Sequence, residues 1–147
     1  FEGIPELLKT LRDHGVALGV ITSKTQIELA QTDCRNIGIK APVRSSGDTK
    51  GTPGVTLRGP NGTLTVPEGV MIADRHIHMT PAQAAAFGLA DGDRVQVKID
   101  GPKPGVMGGV LIRANDKCAL DFHIDTDDGN AFLLKQGQLV TVLGKEE

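Results

Sequence analysis

The chain of 147 residues carries 16 Lys and Arg against 18 Asp and Glu, a net charge of −2. It therefore lacks the basic stripe with which nucleic-acid proteins neutralise phosphates. Aromatic residues make up 3%, with no Trp or Tyr, which removes the platforms on which bases stack. The 39% hydrophobic content is that of a globular domain rather than a disordered tail, and no apolar run reaches the ~18 residues of a membrane-spanning helix.

The first elements follow α/β grammar. Ile4, Leu7, Leu8 and Leu11 recur at helical spacing, with Pro5 suited to a first turn and Gly15 to a C-terminal cap. The apolar run 16–21 then reads as a strand buried on both faces. Phe1 opens the sequence without a charged n-region or a Met, so no signal peptide is read and the start is expected to lie upstream.

After Thr22-Ser23-Lys24 the pattern changes. Gln26-Ile27-Glu28-Leu29 alternates as a half-buried strand does. A short helix over 33–37 ends at Gly38. Strands over 55–57 and 64–66 flank the turn Gly59-Pro60-Asn61-Gly62, and 70–73 is a further apolar run. Thr80 and Pro81 open an Ala-rich helix that Gly88 closes. Strands are expected over 95–99, 110–112, 120–124 and 139–143, with one or two helical turns over 129–134. The 19 glycines agree with many turns. The expected fold is mainly β with short helices: a small β-barrel domain over 25–147, preceded by an α/β helix–strand fragment over 1–24.

Chemistry concentrates in few residues. His76 and His78 stand in Arg75-His-Ile-His-Met79, and on an extended segment they share one face. Ile77 and Met79 then face the core. Leu120, Phe122 and Ile124 alternate inward, so Asp121, His123 and Asp125 share the opposite face. If the two strands are neighbours, three imidazoles converge, and a fourth position stays open as in catalytic zinc sites. Asp121 or Asp125 would orient the rings. Exposed or hydrogen-bonded histidines are the competing reading, and spacing alone leaves both open. His14 reads as a residue at a helix end. Glu28 shares a strand face with Gln26 and reads as a surface acid. Arg75 suits either a phosphate or an ordinary ion pair. Asp125 to Asp128 suit a helix cap or oxygen ligands. Cys34 and Cys118 belong to no CxxC pair and are expected to be reduced thiols, buried or idle, in a cytosol-like compartment. No P-loop and no GxSxG elbow is present.

Residues from about 23 to 145 closely resemble the C-terminal half of the PduL-type phosphotransacylases (phosphate propanoyltransferases). The stretches that carry the resemblance are Ser-Lys-Thr-Gln-Ile-Glu (23–28), Thr-Asp-Cys-Arg-Asn-Ile-Gly-Ile (32–39), Ala-Pro-Val-Arg-Ser-Ser-Gly-Asp (41–48), Gly-Thr-Pro-Gly-Val (51–55), Ala-Asp-Arg-His-Ile-His-Met-Thr-Pro (73–81) and Cys-Ala-Leu-Asp-Phe-His-Ile-Asp-Thr-Asp-Asp-Gly-Asn-Ala (118–131). The resemblance implies interconversion of acyl-CoA plus phosphate with acyl phosphate plus CoA, on propanoyl or acetyl groups, at a two-metal site between two β-barrels. It implies that His76, His78 and His123 bind one Zn2+ and that Glu28 binds the other. Arg75 is the candidate catalytic residue. The family's other HxH motif has no counterpart before Glu28, and Thr22 stands where the family tends to place a phosphate-holding Arg. One or two Zn2+ per chain are therefore expected, with CoA as substrate and a homo-oligomer supplying what is missing. No nucleic acid or membrane is expected as a partner. The expected location is the cytosol or the lumen of a bacterial microcompartment. A metal-binding β-barrel or oligomerisation module without turnover is the alternative.

The first 24 residues, with Phe-Glu-Gly-Ile-Pro-Glu-Leu-Leu-Lys-Thr-Leu-Arg and then Val-Ile-Thr-Ser-Lys, resemble instead a haloacid-dehalogenase-type phosphatase of the phosphoglycolate kind. That family's DxD nucleophile motif is absent, so phosphatase activity is not expected. A chimera of the two families is.

Overall fold

The computed structural model describes residues 26–60 and 62–146. The helix–strand fragment read over 1–24, its phosphatase-like motif and His14 lie outside the described residues. The chain divides into two compact units between Ala73 and Asp74.

In the first unit the apolar run at 70–73 becomes β5 (Val70–Ala73), the middle strand of a three-stranded parallel sheet. Its neighbours are β1 (Ile27–Glu28) and β2 (Val43–Arg44), with Ile27 opposite Val70 and Val43 opposite Ile72. Val70, Met71 and Ile72 are all buried, as a strand covered on both faces requires. Helix α1 (Gln31–Ile37) follows β1 and ends where Gly38 turns left-handed at φ 73°. Strands β3 (Val55–Gly59) and β4 (Gly62–Val66) form the expected hairpin, closed by the pair Gly59 and Gly62.

The second unit is one five-stranded sheet in the order β10-β7-β8-β6-β9. These strands are β6 (His76–Met79), β7 (Arg94–Ile99), β8 (Gly105–Ala114), β9 (Asp121–His123) and β10 (Thr141–Lys145). Pairing is antiparallel except between β6 and β8, which run parallel. Strand β7 alternates strictly, with Val95, Val97 and Ile99 buried and Arg94, Gln96 and Lys98 exposed. Those three pack with Ile77, Met79 and Ile112 in the core. Helix α2 (Pro81–Ala86) begins with a capping box: Thr80 Oγ1 accepts from Gln83 N at 3.2 Å, and Gln83 Oε1 accepts from Thr80 N at 2.8 Å.

The fold is mainly β with three short helices among the described residues, as expected, but the barrel is not found there. The two edge strands β9 and β10 do not pair. Between them lies a cavity of about 610 Å³, walled by Phe122 and Ile124 on one side and Val140 and Val142 on the other. Strand β9 has three residues rather than five, because Leu120 is half-exposed and Asp125 is taken by the cap of α3 (Thr126–Phe132). Strand β10 starts two residues later than alternation suggests, since Leu139 is 91% exposed.

Strand β10 is also tied from the side. Asp93 Oδ2 accepts from Ala90 N at 2.9 Å, and Asp93 Oδ1 pairs with Lys145 Nζ at 2.7 Å. The Lys145 hydrogen bond, helped by the Ala90 amide, holds the Asp93 carboxyl below its ordinary value of 3.8. A depressed carboxylate stabilises the fold above its unfolded pKa and loses that effect as pH falls through the folded value. Asp93→Asn is therefore expected to lower the denaturation midpoint at neutral pH, with the deficit shrinking as pH drops below 3.8. Thr80→Ala is expected to cost about 1 kcal/mol, read from urea denaturation.

Candidate metal centre

The site is built on β6 and its two neighbours. Antiparallel pairing sets His76 directly opposite His123 and His78 opposite Asp121. Residues two apart on a strand share a face, so His76, His78, Asp121 and His123 project together. The ring centroids lie 4.7, 4.9 and 5.0 Å apart. One nitrogen from each ring falls within 4.8 Å of the others, a group that could hold a metal ion.

Each ring is oriented from behind. His76, only 6% exposed, places Nδ1 at 2.8 Å from the carbonyl oxygen of Asp74. A carbonyl only accepts, so Nδ1 carries the proton and Nε2 keeps its lone pair. His123 Nε2 lies 3.2 Å from Asp121 Oδ2. His78 Nδ1 lies 3.1 Å from Cys118 Sγ, and its Nε2 lies 3.2 Å from His76 Nε2. That last separation suits two ligands of one tetrahedral ion, since bonds of about 2.0–2.1 Å put their nitrogens roughly 3.3 Å apart.

Burial lowers the affinity of His76 and His78 for protons, and the charge of Arg113 acts in the same direction. Both are therefore held in the neutral form that ligates metals. Arg113 pairs with His78 across the parallel β6–β8 ladder and forms no ion pair among the described residues. Arg75 is placed otherwise. Its Nη2 meets Asp128 Oδ1 at 3.0 Å, and its Nη1 donates to the Gly108 carbonyl at 3.4 Å. Burial raises the Asp128 carboxyl above its ordinary value, against the pull of Arg75.

The structure thus brings together the three histidines read from the sequence, with Asp121 behind one of them. Asp125 does not join them. It caps α3, accepting from Asp128 N at 2.8 Å. Glu28 belongs to the first unit. Its Oε1 accepts from Gln26 Nε2 at 2.8 Å, and the same amide nitrogen donates to Ser46 Oγ at 2.8 Å. Gln26 is 1% exposed and Glu28 partly buried, and Gln26 Oε1 has no hydrogen-bond partner among the described residues. Two contributors escaped the sequence reading. Arg113 was legible in principle, because it alternates with buried Val110 and Ile112. Cys118 sits in a loop, where alternation places nothing.

The hydrogen bond to Asp74 makes a direct prediction. In the metal-free chain at neutral pH, ¹⁵N shifts should report His76 as the Nδ1–H tautomer, and an Nε2–H signal would contradict this orientation.

The chain has relatives among known proteins. Residues 9–135 match the family model of phosphate propanoyltransferase. This span overlaps the phosphatase-like stretch from residue 9 onward. The chain is 45% identical over 127 residues to a phosphate propanoyltransferase of Thermotoga maritima, covering 86% of this chain and 60% of the relative. To those of Lachnoclostridium phytofermentans and Listeria monocytogenes it is 42% and 43% identical, covering 59% and 61% of each. The chain thus spans about three-fifths of the length of the relatives it matches. With the match covering most of its residues, the chain belongs to the phosphate propanoyltransferase family.

Proposed function

We propose that this chain supplies the metal-binding part of an acyltransferase that interconverts acyl-CoA plus phosphate with acyl phosphate plus CoA. Propanoyl and acetyl groups are the proposed acyl groups. The observation that carries the reading is the convergence of His76, His78 and His123 inside the stretch that matches the family.

The donor set fits Zn2+. Three imidazole ligands suit an ion of borderline softness and leave one position open to substrate. When bound, the ion supplies Lewis acidity to the thioester carbonyl and to the departing thiolate of CoA. The protein supplies the rest. The Asp74 carbonyl and the Asp121 carboxylate fix two of the rings. Arg113, beside His78, offers its guanidinium to the phosphate, whose oxygens match its fork of donors. Arg75 remains a second phosphate candidate, and Asp128 fixes where its guanidinium stands. Holding phosphate against the thioester replaces a bimolecular encounter with a positioned one. Glu28, held by Gln26, is proposed to ligate a second ion. Its further ligands would come from another part of the assembly, which makes a homo-oligomer part of this proposal. The cytosol or the lumen of a microcompartment is the proposed location. No helix among the described residues is long and apolar enough to cross a membrane.

Acyl phosphate plus CoA, with thioester formation followed by absorbance, tests the activity, and elemental mass spectrometry counts the metal. His123→Ala is expected to remove one metal per chain and at least about 100-fold of turnover. Arg113→Gln is expected to keep the metal and to raise the KM for acyl phosphate by about 10- to 100-fold, the worth of one charged hydrogen bond. A His123→Ala chain with full metal content would overturn the site.

A further inference from the structure

We propose that Cys118 is a positioning residue for the metal centre: its sulfur holds Nδ1 of His78 and thereby presents Nε2 to the ion. The inference rests on the metal reading above and adds a residue which that reading does not use.

Each of the three rings turns one nitrogen inward and engages the other. The Asp74 carbonyl engages His76, the Asp121 carboxylate engages His123, and Cys118 Sγ engages His78 at 3.1 Å. The first two partners only accept, but a thiol both donates and accepts. That difference matters because His78 needs a different tautomer in each state. With His76 protonated on Nδ1, its Nε2 is an acceptor. The 3.2 Å contact between the two Nε2 atoms then requires a proton on Nε2 of His78 in the metal-free chain. His78 Nδ1 is in that case an acceptor, and Cys118 S–H donates to it. An ion at Nε2 requires the opposite tautomer. The one imidazole proton sits on Nδ1, and the sulfur accepts it while the S–H rotates away. The ring keeps a single proton throughout, and Cys118 partners it in both states.

The sulfur is placed by a defined turn. Asn115 N donates to the Met79 carbonyl at 3.0 Å, which anchors the loop to the end of β6. Cys118 N donates to the Asn115 carbonyl at 3.0 Å, and Lys117 N donates to Asn115 Oδ1 at 2.9 Å. The loop that delivers Cys118 is thus fastened to the strand that carries His78.

Titration of the metal-free wild type, Cys118→Ala and Cys118→Ser with Co2+, read through its visible ligand-field bands, tests the proposal. Cys118→Ala is expected to bind Co2+ about 10- to 100-fold more weakly and to shift the bands. Cys118→Ser, which also donates and accepts, is expected to recover most of the affinity. An alanine variant with unchanged affinity and bands would overturn the proposal, and so would a sulfur-to-cobalt charge-transfer band in the wild type, which marks direct ligation. A wild type that binds no Co2+ would overturn the metal reading itself.

Discussion

Everything at the candidate centre depends on the register of β6 against its two neighbours. His76 faces His123 and His78 faces Arg113 only because β6 pairs antiparallel on one side and parallel on the other at these offsets. A slip of one residue on either side would turn an imidazole or the guanidinium to the opposite face. Packing opposes such a slip. Ile77 and Met79, which alternate with the histidines, are 3% and 0% exposed in the core that Val95, Val97 and Ile99 also build. Burial of the apolar face of β6 thus sets the chemistry of its polar face.

That polar face is electrically balanced from its edges. Burial and the charge of Arg113 keep two imidazoles neutral, while carboxylates at Asp74, Asp121 and Asp128 are each committed to a neighbour. Asp74 pairs with Arg94, Asp128 with Arg75 and Asp121 with His123. With its acids so engaged, the cluster is left with nitrogen donors and the Arg113 guanidinium, which forms no ion pair among the described residues. This is a suitable setting for an anionic substrate beside a soft-to-borderline ion.

Much of this was legible in the sequence because it rests on period-two alternation. The HxH spacing, the polar parity of Asp121 and His123, the helix start at Thr80 and Pro81 and the Gly59–Gly62 turn are local signals, and each appears in the structure. The remainder depends on pairings that no local pattern encodes. The parallel β6–β8 ladder brings in Arg113, and the turn at Asn115 brings in Cys118. That no closed barrel is found among the described residues has a related reason: alternation shows that a strand has two faces but not whether the outermost strands meet. Alternation also left Glu28 reading as a surface acid on its own residues, and the structure shows it partly buried beside Gln26, which is buried.

Strand β9 has three residues and lies at the edge of its sheet, held on one side only. Such a short edge strand has few hydrogen bonds with which to resist fraying. It nevertheless contributes one of the three nitrogens, while β6 contributes the other two. An ion shared between them is therefore also a cross-link, closing the long stretch of chain between the two strands. Occupancy and docking of β9 become linked equilibria. Each hundredfold excess of free ion over its dissociation constant adds about 2.7 kcal/mol in favour of the docked strand. The supply of metal in the surroundings would thus set how firmly the edge of this sheet is closed.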